Sequence, residues 1–212
     1  MAKLPEGIFG PIIGTLGNVV GAKWKDIPYL RSLLAKSDIP ATQAQINNRE
    51  KFIFVNEFLK PFHAFITVGL NNKAKKMTQL NAAYSLNHNN IVVDTYPNLN
   101  IDYAKFIWSE GTLSSLNGLQ WHLTDDNLLQ LSWQQDYRSS AAFNDQLMLL
   151  VYCPALKIAG GFITGVSRAD KQCSFVIPPK FKGHDVEIYV SVTSLNRKKI
   201  ANSQYLGRVT LL

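Results

Sequence analysis

The sequence predicts an α+β chain: an N-terminal β-hairpin plus two helices, followed by an antiparallel β-sandwich. Three observations predict it. A glycine-rich, uncharged opening gives way to segments with β-type alternation, and residues 43–88 then carry helical periodicity. From about Lys105 onward no segment longer than ten residues has that periodicity. The chain has 212 residues, 46% hydrophobic and 11% aromatic, which is enough for a sizeable core and argues against disorder.

The opening reads GIFGPIIGTLGNVVGAKWK, with glycines at 7, 10, 14, 17 and 21 and no charge between Glu6 and Lys23. It contains neither G-x-G-x-x-G nor G-K-[ST], so it is not a phosphate cradle. Glycines three and four apart could line a membrane helix. The uncharged run, Gly7 to Ala22, is only 16 residues long, short of the roughly 20 needed to span. Pro11 and the glycines also oppose a helix. A sheet explains more. VVGAKWK puts Val20, Ala22 and Trp24 on one face, with Val19, Gly21 and Lys23 on the other. PYLRSLL returns as the second strand after a turn at Lys25-Asp26-Ile27. The expectation is a tightly packed, twisted hairpin, with Trp24 and Tyr29 as its large apolar groups and glycines that mark bulges or close backbone approach.

QAQINNREKFIFVNEFLKPFHAFITVGL follows a breaker at Pro40. Its apolar residues, among them Ile46, Ile53, Phe54, Phe58, Phe62 and Phe65, recur at mostly three- or four-residue steps, so a helix is expected. Pro61 should kink or split it. Five phenylalanines between 52 and 65 make a wide apolar surface, so Phe54, Phe58 and Phe62, together with Trp24 of the hairpin, become candidates for contact with the sandwich or with another chain. MTQLNAAYSLNHNN reads as the second helix, capped by Thr78, with His88 near its end. The β-rich runs after it are KFIWSEGTL, LQWHLT, LLQLSWQQ, QLMLLVYCP, KIAGGFITGV, QCSFVIPP, DVEIYVSVTS and QYLGRVTLL, separated by turn signals. A domain boundary is expected between 103 and 104, giving a hairpin and helical module at 1–103 and a sandwich at 104–212.

LLQLSWQQD resembles strand B of a fibronectin type III or immunoglobulin-like domain, with Trp133 as the core aromatic, and FVIPPKFKGHDVEIYVSVTS resembles the E–F region. The whole chain resembles a family of uncharacterised Bacteroidota proteins, catalogued as a domain of unknown function. The match is carried by GIFGPIIGTLGNVVGAKWK, QAQINNREKFIFVNEFLKPF, YSLNHNNIVVDTYPNLNIDYAKFIWSEGTL and ANSQYLGRVTLL, in that order. Members often have Gly in the hairpin turn where this chain has Asp26. The helix also resembles helices of phage-derived structural proteins. The resemblance implies a fold and no established activity.

Catalytic patterns are absent from the sequence. His63, His88, His122 and His184 each lie more than five residues from another His or Cys, so no metal-ligand spacing exists. Ser167 in GVSRA lacks the second glycine of G-x-S-x-G. Asp125-Asp126 reads as a turn, and Cys153 and Cys173 read as buried thiols. No enzyme activity, cofactor or metal is expected. Formal net charge is +7, shared evenly along the chain, with 11 cations against 7 anions in 1–103 and 11 against 8 in 104–212. MAKLPEG lacks the apolar core of a secretory signal, so the expected location is the cytoplasm, or export without a cleaved Sec signal.

Function therefore rests on surfaces. In a fibronectin-like strand order the B–C, C′–E and F–G connections share one end of the sandwich. That end would gather Arg138, Arg168, Lys171, Arg197, Lys198 and Lys199 against Asp136, Asp145 and Asp170. The expectation is a structural or adaptor protein with a protein partner or self-association, part or cargo of a larger bacterial, phage-like assembly. Two alternatives are a nucleic-acid module using the basic loops and a membrane-active effector using Gly7 to Ala22. Nucleic-acid binding should be weak, because no aromatics interleave with Arg197, Lys198 and Lys199. Membrane binding by the intact chain is not expected.

Overall fold

The computed structural model describes residues 2–3, 10–24, 26–35, 39–74, 77–124, 127–135 and 141–211. It divides into two compact units, Met1–Thr42 and Gln43–Leu212.

The first unit is a four-stranded antiparallel sheet. Its strands are β1 (Ala2–Lys3), β2 (Gly14–Leu16), β3 (Val19–Trp24) and β4 (Ile27–Ser32), in the order β1-β4-β3-β2. The predicted hairpin is β3–β4, closed by the pair Trp24 and Ile27. Asp26 stands in its turn at φ 63°, a left-handed conformation that Asp tolerates better than most residues. Its carboxylate accepts from Lys23 at 2.7 Å, which holds its pKa below the usual value. Gly21 answers the question of the glycines: a Cβ there would collide with the Ile12 carbonyl, so only glycine lets the chain before β2 cross β3.

The second unit begins with α1 (Gln43–Leu59), a short 3-10 turn at Lys60–Phe62 and α2 (His63–Gly69). The division falls at Pro61, which has no N–H to continue the ladder. The helix α3 (Gln79–Asn87) starts where the Thr78 hydroxyl accepts from the Asn81 N–H at 3.1 Å, and ends at His88. A two-stranded ribbon follows, β5 (Val92–Val93) with β6 (Asn100–Ile101).

Seven strands then form the sandwich. They are β7 (Asn117–Leu123), β8 (Leu128–Gln134), β9 (Gln146–Cys153), β10 (Ile158–Phe162), β11 (Gln172–Val176), β12 (Asp185–Thr193) and β13 (Gln204–Thr210). One sheet runs β10-β9-β12-β13 and the other β11-β8-β7, all antiparallel. Labelled A to G with C′ after C, these are the C′CFG and EBA sheets of a fibronectin type III-like sandwich.

The middle strands β9 and β12 are buried on both faces. Leu147, Leu149, Val151 and Cys153 alternate with Met148, Leu150 and Tyr152 along β9. The first set meets Leu129, Leu131 and Trp133 inside the sandwich. The second set, with Tyr189 of β12, meets Val55, Phe58, Phe62 and Ile66 of the helices. The second unit therefore has three layers: helices, a four-stranded sheet and a three-stranded sheet. The boundary expected at 103/104 does not divide the structure, because residues on both sides of it share one core.

KFIWSEGTL, expected as a strand, is not one. It contributes a 3-10 turn ending at Lys105 and an isolated bridge from Leu113 to Ala201. Its polar backbone groups go elsewhere. The Asn87 side chain accepts from the Ile107 N–H at 2.9 Å and donates to the Ile107 carbonyl at 2.7 Å, while the Glu110 N–H donates to the Gly69 carbonyl. Strapped in this way to the ends of α2 and α3, the segment drives Phe106 and Trp108 into the outer core.

Phe62 packs in tilted contacts against Phe106 and Tyr152, with ring centroids 4.7 Å apart in both cases. Phe62→Ala should destabilise the unit by about 3–5 kcal/mol. Helical ellipticity and hydrogen-exchange protection of the β12 amides should disappear at the same denaturant concentration. Separate transitions would show that helices and sandwich fold independently.

Candidate functional site

In the N-terminal sheet, antiparallel partners share a face. Leu16 and Val19 lie on one face with Gly21 and Leu30; Val20, Ala22, Tyr29, Trp24 and Ile27 lie on the other. A sheet normally buries at least one face. Here Gly21 is the only buried residue among the described side chains of this unit. Ile13 is 72% exposed, Leu16 70% and Trp24 43%. The expected packed face of Val20, Ala22 and Trp24 is therefore not closed. Alternation settles which side chains face together, but not whether anything within the chain covers them.

The three sandwich connections do meet at one end. The Arg168 N–H donates to the Asp145 carbonyl and the Ala169 N–H to that of Phe143, while a cleft of about 730 Å³ separates the B–C from the F–G connection. The cations there divide into two kinds. Arg168 is 5% exposed and Asp145 1%, and their side chains pair at 3.2 Å. The guanidinium also donates to the carbonyls of Ser114 at 2.6 Å and Ser115 at 3.3 Å, and the Arg168 carbonyl accepts from the Trp133 indole at 2.8 Å. Arg168 is thus an internal tie and not a surface cation, a correction to its expected place among the ligand-facing residues. Lys171, Arg197, Lys198 and Lys199 are exposed. The F–G tip is closed on itself, since Asn196 Oδ1 accepts from Ser194 Oγ and the Lys198 N–H. Arg138, Asp136, Asp125 and Asp126 lie outside the described residues.

The aromatic helix is likewise reassigned. Phe58 and Phe62 are 8% and 0% exposed in the outer core, which removes them from any free surface, and Phe54 is half-buried. The exposed rings and chains of α1 are Phe52 and Ile53.

A buried carboxylate escaped the sequence reading. Glu187 of β12 is fully buried, accepts from Tyr205 at 2.6 Å and from Arg208 Nε at 2.7 Å, and leaves the Arg208 guanidinium 5.6 Å from the Tyr103 ring centre. The signal was present: a charge flanked by Val186 and Ile188 in the middle of a strand needs a partner, and Arg208 stands opposite it in the register. Burial, then the bond to Glu187, pushes the Tyr205 phenol up, and burial does the same to Tyr189. Cys153 and Cys173 are buried free thiols. Among the described residues no cluster of three His, Cys, Asp or Glu is placed to hold a metal ion, and no helix is long and apolar enough to cross a membrane.

The model of a family of unknown function, DUF6266, matches residues 11–207. The chain belongs to that family. The DUF6266 match takes in β2 to β4 as well as the helices and nearly all of the sandwich, so three of the four strands of the exposed sheet lie within it. No curated protein matches the chain. One similar solved structure is the solution structure of the fn3 domain of human collagen alpha-1(XX) chain. It is 14% identical, covers 49% of this chain and 90% of that one, and has a TM-score of 0.33.

Arg168→Ala should cost the DUF6266 chain about 3–5 kcal/mol, because it leaves Asp145 buried and unpaired. Ser at 198 and 199 should change stability by less than about 0.5 kcal/mol. Urea midpoints of the variants check both. Alkali supplies a second test. Burial pushes the Tyr152 phenol up from 10.0 to about 12. The neutral form is favoured in the folded chain, so this stabilisation is complete below the unfolded value near 10 and is lost as pH rises through about 12. Tyr152→Phe should flatten the fall in urea midpoint over that window.

Proposed function

We propose that this chain is a non-enzymatic structural or adaptor protein, a component or cargo of a larger assembly in which another protein surface covers its N-terminal sheet. One observation carries the reading: a four-stranded sheet, rich in Ile, Leu, Val and Trp, has only Gly21 buried among its described side chains. Small sheets are stable in water when one apolar face is packed. Contiguous exposed apolar patches mark sites of association. Two buried carboxylates are meanwhile held internally, Glu187 by Tyr205 and Arg208, and Asp145 by Arg168. The resemblance to Bacteroidota sequences and to phage-derived helices supports a bacterial, phage-like setting for the assembly.

In dilute purified protein, amides of β3 and β4 should exchange orders of magnitude faster than those of β9 and β12. Their protection should rise when the chain self-associates or binds its partner. Leu16→Lys with Ile27→Lys should abolish association by light scattering and leave the stability of the second unit unchanged. Full protection of β3 and β4 in a strict monomer would overturn the reading. Robust flotation with liposomes in the absence of protein partners would favour the membrane-active alternative.

A further inference from the structure

The end of the sandwich that gathers the B–C, C′–E and F–G connections carries an excess of one charge. Lys171, Arg197, Lys198 and Lys199 are exposed there, and none is in an ion pair among the described residues. The carboxylates around them are already engaged. Asp145 is 1% exposed, and its Oδ2 accepts from Arg168 Nε at 3.2 Å and from the Ala142 N–H at 2.8 Å. Asp170 Oδ2 accepts from the Ser167 N–H at 2.7 Å. With the buried Arg168–Asp145 pair neutral, four exposed cations stand against one exposed carboxylate, Asp170, among the described residues.

Lys198 and Lys199 line the cleft of about 730 Å³ together with Leu113, Ala141, Ala142 and Leu195. Leu195 is 62% exposed, although it belongs to a tip whose backbone is fixed. The Ser194 N–H donates to the Lys199 carbonyl at 2.8 Å, and the Arg197 N–H donates to that of Ser194 at 2.8 Å. Asn71 Nδ2, just beyond α2, donates to the Arg197 carbonyl at 3.2 Å and ties the tip to the helical layer. On the opposite wall the Asp145 N–H donates to the Ala142 carbonyl at 3.2 Å. Both walls are thus braced before any ligand arrives. An exposed leucine is held beside two exposed lysines, and little ordering is left to be done on binding.

We propose that this cleft docks an acidic segment of a partner protein, one in which an aliphatic side chain is flanked by Asp or Glu. The aliphatic group packs on Leu195, Leu113 and the two alanines, and the flanking carboxylates meet Lys198 and Lys199. Charge complementarity names the occupant: the positive excess draws in an acidic segment and repels a basic one. The lining decides between acidic protein and nucleic acid. No aromatic side chain is among the described residues that line the cleft, so a base finds no ring to stack on, whereas an aliphatic side chain finds aliphatic walls. The site lies in the second unit and does not depend on what covers the N-terminal sheet.

Fluorescence anisotropy of the full chain with a labelled peptide, a leucine flanked on both sides by aspartates, tests the site. The peptide should bind saturably, and more weakly as ionic strength rises. Serine in place of its leucine should weaken binding about threefold to tenfold, and lysines in place of its aspartates should abolish it. Lys198→Ser with Lys199→Ser should weaken the aspartate peptide about threefold to tenfold. Leu195→Ser should erase the preference for leucine over serine in the peptide. All three side chains are exposed, so these variants should keep the parent circular dichroism. Leu16→Lys with Ile27→Lys should bind the peptide as the parent does, which keeps this test separate from association through the N-terminal sheet. Absence of saturable binding would overturn the proposal, and so would binding indifferent to the lysine substitutions. Tighter binding of a thymidine oligonucleotide of equal charge would overturn it in favour of nucleic acid.

Discussion

The packing of Phe58, Phe62 and Phe106 against Tyr152 and Tyr189 is the constraint from which the rest of the second unit follows. It covers the outer face of β9 and β12 and turns two sandwich strands into strands buried on both sides. A charge on such a strand must find its partner nearby, as Glu187 does in Tyr205 and Arg208. The chain joining helices to sandwich must also deliver apolar groups to the same layer. It delivers Phe106 and Trp108, and Asn87 holds its backbone in place of a sheet neighbour.

Much of this was legible in local signals. Pro61 divides the helix because it lacks a donor, Thr78 caps because its hydroxyl can reach the Asn81 N–H, and the seven sandwich strands fall where alternation and turns place them. KFIWSEGTL misled because its β-rich composition reflects burial of Phe106 and Trp108, and burial alone does not select a strand. The expected boundary at 103/104 had the same origin. QLMLLVYC is a nearly continuous apolar run, a pattern that signals burial on two faces, whereas DVEIYVSVT alternates and conceals the burial of its second face. Arg168 shows the opposite limit. Its sequence neighbours are loop-like, and its partner Asp145 lies in another connection, so nothing local marks it as buried.

The two ends of the chain solve different problems. The second unit closes its cores internally. The N-terminal sheet has correct register, a fitting turn at Asp26 and a glycine at its crossing point, yet it leaves its apolar groups in water. For such an element alternation in the sequence sets which side chains share a face, and is silent on what lies against them.

The doubly buried sheet also bears on how this protein can be rearranged. Sandwiches of this kind serve as beads in tandem arrays when both outer faces meet water, because each bead can be cut out and joined elsewhere through its termini. Here one outer face is a floor for helices encoded before the first sandwich strand. The smallest transferable cassette is therefore the whole second unit, from Gln43 onward. Shuffling the seven strands alone would carry away a bead with an exposed stripe of Met148, Leu150, Tyr152 and Tyr189. An excised sandwich would need a new cover for that stripe before it could stand alone.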